Sequence, residues 1–164
     1  MTKIKQSVLV DCPLHEIMYY AERYFSVHRK GQEQGTFTLT VDSAALNMPG
    51  RVQASHQVNV AYEVKKAAGN EADAISLAWD PQDKMMPRFA GVLHAERSEG
   101  AHSTLILEGT YNPPFGAVGA AFDAVLGQRI ASATANSLLE DIKTFIEESY
   151  GVARKTTLAD SPKE

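Results

Sequence analysis

Cysteine is almost absent from this 164-residue chain. The one present, Cys12, has no intramolecular partner, so no disulfide framework holds the fold and none implies an oxidising compartment. A lone Cys beside apolar residues reads as a packing residue rather than a reactive thiol. A basic excess is also missing: 16 Lys and Arg stand against 20 Asp and Glu, a formal charge of -4. The counterion release that drives general nucleic-acid binding then has no source, and no nucleic-acid partner is expected. No apolar run reaches the roughly 18 residues of a spanning helix. Asp11 interrupts the N-terminal segment before a signal-peptide core can form, so the expected location is the cytoplasm. With 44% hydrophobic and 22% charged residues, wholesale disorder is excluded as well. What remains is a water-soluble domain.

Chemical signatures are equally scarce. Of the five histidines, His15, His28, His56, His94 and His102, no two lie four apart. His15-Glu16 lacks the second His of a zincin helix, so no metal site and no cofactor are expected. There is no G-x-S-x-G elbow, and no Cys/His pattern surrounds Cys12. Gly116, Gly119 and Gly127 carry neither dinucleotide-binding spacing nor a P-loop Lys. They read as a hinge or a close-packing device.

Periodicity is what the chain does have. Ile4 to Val10 alternates Ile4, Gln6, Val8 and Val10 with Lys3, Lys5, Ser7 and Leu9, which predicts a half-buried strand. Pro13 suits the opening turn of a helix, and Leu14, Ile17, Met18, Ala21 and Phe25 recur on one helical face. From Thr36 the period returns to two. Phe37 and Leu39, then Val58, Val60, Tyr62 and Val64, then Ile75, Leu77 and Trp79 each share a strand face. Strands over about 88–96 and 103–111 follow. Short links favour an antiparallel meander, and turns fall at Asn47-Met48-Pro49-Gly50 and Gly69-Asn70.

After Pro113-Pro114 the chain is helical in composition, but its apolar stripe changes phase. Phe115, Val118, Phe122, Val125 and Leu126 cluster on one side, while Ala131, Ala135, Leu138, Ile142 and Phe145 cluster on the other. A break near Gly127-Gln128 accounts for this, giving a short helix and then a long one over 128–148. The expected domain spans 1–150, with 151–164 a polar, disordered tail. The reading is an α+β domain in which a curved antiparallel sheet wraps around a long C-terminal helix.

The stretch from Leu105 to Ile146, LILEGTYNPPFGAVGAAFDAVLGQRIASATANSLLEDIKTFI, joins a last strand to a Pro and Gly linker, a G…FD segment and a terminal helix. With the opening SVLVDCPLHEIMYYAERY it resembles the START-like superfamily. That group is also called SRPBCC or polyketide-cyclase-like, and its architecture is the helix-grip fold. The resemblance covers about residues 3 to 149 and lies in apolar and turn positions rather than in a catalytic signature. It implies a deep, mostly apolar cavity between sheet and C-terminal helix, holding a lipid, sterol, quinone, polyketide or plant metabolite. A minority of members are enzymes, such as aromatase/cyclases, and one branch assists chaperones.

The expected partner is thus a hydrophobic or amphipathic small molecule, and the lining candidates are Phe37, Leu39, Tyr62, Trp79, Leu93, Leu107, Tyr111 and Phe122. Arg129, like Arg88, is a candidate at the rim, where a guanidinium pairs with a ligand carboxylate or phosphate. A cyclase or dehydratase is the alternative, with Tyr62, Tyr111 or Arg129 as acid or anchor. An interaction module with a packed core, using an apolar surface near Met48, Met85 and Met86, is a third. His94 and Glu108 share the strand phase opposite Leu93 and Leu107 and are expected to face outward. Each of these assignments depends on strand register, because a one-residue slip exchanges every lining residue for its outward neighbour.

Overall fold

The computed structural model describes residues 2–28, 34–41, 54–69, 72–81, 88–112 and 120–160. Side chains of 2, 34–41, 54–58, 81, 120–127 and 130 are not among those described. The chain runs β1 (Thr2–Val10), α1 (Leu14–His28), β2 (Gln34–Val41), β3 (Ala54–Lys65), β4 (Ala74–Pro81), β5 (Arg88–Arg97), β6 (Ser103–Asn112) and α2 (Ala120–Ala159).

The six described strands form one antiparallel sheet in the order β1-β6-β5-β4-β3-β2. The meander expected from the short links is therefore present, with β1 added beside β6. The two ends of this order, β1 and β2, are the sheet edges, and α2 packs against both of them as well as against β6 and α1. One helix reaches both edges only if the sheet curls around it. This is the grip that the apolar alternation of the strands implied.

Curvature has a local cause. Gly91 and Gly109 are cross-strand partners at the centre of the sheet. A Cβ on Gly109 would stand 2.3 Å from the Ala90 carbonyl oxygen and 2.5 Å from the Gly91 Cα. The Phe89 ring edge reaches over both glycines, so an aromatic ring occupies the space two side chains would fill.

Two expectations are corrected. The helical region after 120 is a single element of 40 residues, about 60 Å long at 1.5 Å per residue, with no break at Gly127-Gln128. A Gly costs a helix only about 1 kcal/mol, and α2 meets four different elements, so its apolar face can shift as its partners change. The helix also continues nine residues past the boundary expected at 150, through exposed residues that need no partner. Back-bonds from Thr156 to Val152 and from Thr157 to Ala153, and the Arg154 guanidinium over the Tyr150 ring at 5.7 Å, belong to this extension.

The α1 face carries the expected Ile17, Met18, Ala21 and Phe25, all buried, and in addition Tyr20 and Tyr24. Tyr24 packs edge-on against Phe145, and Tyr20 against Tyr150. Because α1 has α2 along one flank as well as the sheet beneath it, its buried stripe is wider than a single-partner helix requires. Cys12 is fully buried where β1 turns into α1. Its backbone carbonyl accepts a hydrogen bond from the Ser103 hydroxyl at 2.8 Å, tying this corner to the start of β6. Burial, reinforced by Glu16, Asp11 and Glu147, pushes the Cys12 thiol up to about 12.

Candidate functional site

Register sorts the concave face into rows that run across the sheet. One row reads Val64, Ile75, Leu93, Leu107 and Gln6; the next reads Tyr62, Leu77, Gly91, Gly109 and Ile4; the third reads Val60, Trp79, Phe89 and Tyr111. These three rows contain no carboxylate and no imidazole. On α2, which packs against β1, β2, β6 and α1, Ala131, Thr134, Ala135, Leu138, Leu139, Ile142 and Ile146 are all buried.

Five of the sequence-selected lining residues, Tyr62, Trp79, Leu93, Leu107 and Tyr111, therefore share this face. Trp79 stacks on Phe89 with ring centroids 4.2 Å apart and planes 20° from parallel. Tyr111 is the cross-strand partner of Phe89. Leu93 and Leu107 have 0% exposure, Tyr111 1% and Trp79 2%, so protein atoms cover the wall at these points. Tyr62 is only partly buried and lies against the Phe25 ring at 5.1 Å. Of these five side chains Tyr62 is the accessible one, and the other four are packed.

Phe37 and Leu39 hold register positions opposite Val58 and His56 on β2 and β3; their side chains, like that of Phe122, lie outside those described. Met48, Met85, Met86, Gly116 and Gly119 lie outside the described residues altogether. Arg129 is exposed on α2. Arg88 does not stand at the rim as a free guanidinium: its Nε donates to Asp80 Oδ1 at 2.9 Å on the protein surface.

The opposite face has another character. Glu108 lies between Lys5, at 3.5 Å from its Nζ, and His94, at 3.4 Å from its Nε2. The His94 contact lacks hydrogen-bond geometry, and its Nε2 is sealed from solvent. This pair faces outward, as the strand phase predicts. A shallow hollow of about 340 Å³ lies over β3, β4 and β5, lined by Ala61, Tyr62, Glu63, Ser76, Leu77, Ala78, Ala90 and Gly91.

Sequence reasoning missed the polar-aromatic group where α1 meets α2. Tyr24 lies 4.2 Å from the His28 ring, and His28 Nδ1 donates to the Tyr24 carbonyl at 2.7 Å. Burial raises the Tyr24 phenol, and the Asp141 carboxylate adds to the shift. Desolvation raises Asp141 itself, against the pull of His28. The available signal was the i, i+4 spacing of Tyr20, Tyr24 and His28, on the flank beside the main apolar stripe. Among the described residues, no three His, Cys, Asp or Glu side chains converge as a metal site would require, and no helix is long and apolar enough to cross a membrane.

No protein-family profile and no curated protein matches the chain. Solved structures do. A conserved protein from Geobacillus kaustophilus superposes with a TM-score of 0.55 at 14% identity, covering 93% of this chain and 97% of that one. The protein TTHA0849 from Thermus thermophilus gives 0.52 at 12% identity, covering 90% and 99%. The Zhui aromatase/cyclase from Streptomyces sp. R1128 gives 0.52 at 11% identity, covering 91% and 93%. Likeness over whole chains at such low identity shows the fold: a curved antiparallel sheet closed around a long C-terminal helix, the helix-grip architecture expected from the sequence.

Proposed function

We propose that this protein binds a hydrophobic or amphipathic small molecule between the concave face of its sheet and α2. The observation that carries the reading is the pairing of a curled sheet, whose three central rows are apolar and aromatic except for Gln6, with one helix that touches both sheet edges. Burial of ligand surface there supplies the driving force, about 25 cal/mol per Å² of apolar area. Tyr62 stands where an incoming molecule arrives first, and Trp79, Leu93, Leu107 and Tyr111 form the wall it reaches as the side chains give way. Phe37, Leu39 and Phe122 complete the proposed lining, with Arg129 at the rim.

A saturable probe tests this. Titration with Nile red, a neutral lipophilic dye, should show one-to-one binding with energy transfer from Trp79, the only tryptophan. Tyr62→Ala should weaken binding several-fold at unchanged far-UV circular dichroism. Non-saturating dye uptake, equal in the variant, overturns the reading.

The cyclase or dehydratase alternative draws on the Zhui aromatase/cyclase among the structural neighbours. It requires an acid or base on the concave side, and the three central rows offer only the phenols of Tyr62 and Tyr111 for that role.

A further inference from the structure

We infer that the hydroxyl of Thr134 is the hydrogen-bonding anchor for a neutral, oxygen-bearing ligand, an alcohol, phenol, ketone or quinone, on the buried side of α2. The inference rests on the binding reading above and adds to it the class of ligand and the atom that recognises it.

The helix supplies its own control. Thr144, Thr156 and Thr157 each donate their hydroxyl to the carbonyl four residues earlier, on Glu140 at 2.9 Å, Val152 at 3.1 Å and Ala153 at 3.0 Å. This is the ordinary local bond of a helical threonine. Thr134 does not make it. Its side chain is 0% exposed, and Oγ1 has no hydrogen-bond partner among the described residues. A buried hydroxyl left this way carries a desolvation penalty that Val, of nearly the same shape, would avoid. The fold does not use the hydroxyl. Its neighbours on the buried stripe, Ala131, Ala135 and Leu138, offer no polar side-chain atom, and they leave the helix surface slender around it.

Charge decides the ligand class. Apart from the phenols and the indole of its aromatic residues, the described core has Ser103 and Thr134 as its polar side chains and holds no charged one, and Ser103 is already bonded to the Cys12 carbonyl. A carboxylate or phosphate brought to Thr134 would lose its water and gain no counter-ion. A neutral oxygen meets the hydroxyl as donor or acceptor without that penalty. Because no water reaches Oγ1, the ligand makes this contact only when α2 and the sheet part to admit it.

Three matched probes read this out by calorimetry: 2-naphthol, naphthalene and 2-naphthoate. The expected order on the wild type is 2-naphthol about tenfold tighter than naphthalene, with 2-naphthoate weakest. In Thr134→Val the advantage of 2-naphthol disappears while naphthalene affinity holds, Thr134→Ser restores it, and the ligand-free melting temperature of Thr134→Val is equal to or above that of wild type. A retained naphthol preference in Thr134→Val, or a wild-type preference for 2-naphthoate, overturns the anchor and leaves the binding reading intact. A lowered melting temperature of ligand-free Thr134→Val overturns it too, since the hydroxyl would then serve the fold. Binding of none of the three overturns both.

Discussion

Leu107 and Glu108 are neighbours in β6 and belong to two different environments. Leu107 faces inward between Leu93 and Gln6 with no exposed surface. Glu108 faces outward between Lys5 and His94, with its side chain 46% exposed. The same contrast repeats on β5 and β4, where Leu93 and Trp79 lie inward and His94 and Asp80 outward. A period of two thus separates a hydrophobic wall from an ionic surface on one set of backbones. Any functional reading that needs charge has to look outside, and any reading that needs apolar volume has to look within.

The contrast can be broken most strongly from the inside. Leu107→Ala should lower stability by about 2–5 kcal/mol, because a fully packed position loses both transfer energy and contacts. Urea denaturation measures it. Gly109→Ala should cost about 1–3 kcal/mol by overpacking, since its Cβ would press on strand backbone as well as on the Phe89 ring. Ser103→Ala should cost about 1–3 kcal/mol, the penalty for orphaning the buried Cys12 carbonyl. Glu108→Ala, one residue from Leu107, should change stability by less than about 1 kcal/mol, and 0.5 M salt should erase most of the difference. A loss at Glu108 comparable with that at Leu107 would mean the faces are not as distinct as the register makes them.

Cys12 sharpens the comparison through chemistry instead of stability. Its thiol has no exposed surface and is raised to about 12 by burial first and by nearby carboxylates second. The native protein at pH 8 should therefore resist Ellman's reagent, and one equivalent should react on addition of denaturant. Rapid native labelling would show that the corner between β1 and α1 opens far more readily than its packing indicates.

Strand alternation made the sheet readable in advance. Val60, Tyr62, Ile75, Leu77 and Trp79 fall on one side because each run keeps its period without a bulge, so no register slip intervened. Trp79 and Tyr111 were legible as inward residues for the same reason. Tyr20 and Tyr24 were not, because their burial depends on α2 covering a second flank of α1, a contact more than 100 residues away in sequence. The continuity of α2 was illegible for a related reason. A phase change in an apolar stripe is the same signal whether the helix breaks or its partners change, and only the tertiary packing tells them apart. Thr134 carried no signal at all: a lone threonine among alanines looks ordinary until its unused hydroxyl is seen beside the back-bonded Thr144, Thr156 and Thr157.

The central claim, that the space between the concave face and α2 takes up a small molecule, is tested most directly by mass spectrometry of the purified protein, first native and then denatured. The account predicts a stoichiometric lipophilic adduct on the native protein, or one formed on incubation with a neutral apolar compound, that is released on denaturation and reduced in Tyr62→Ala. A native mass equal to the bare chain both before and after that incubation would contradict it.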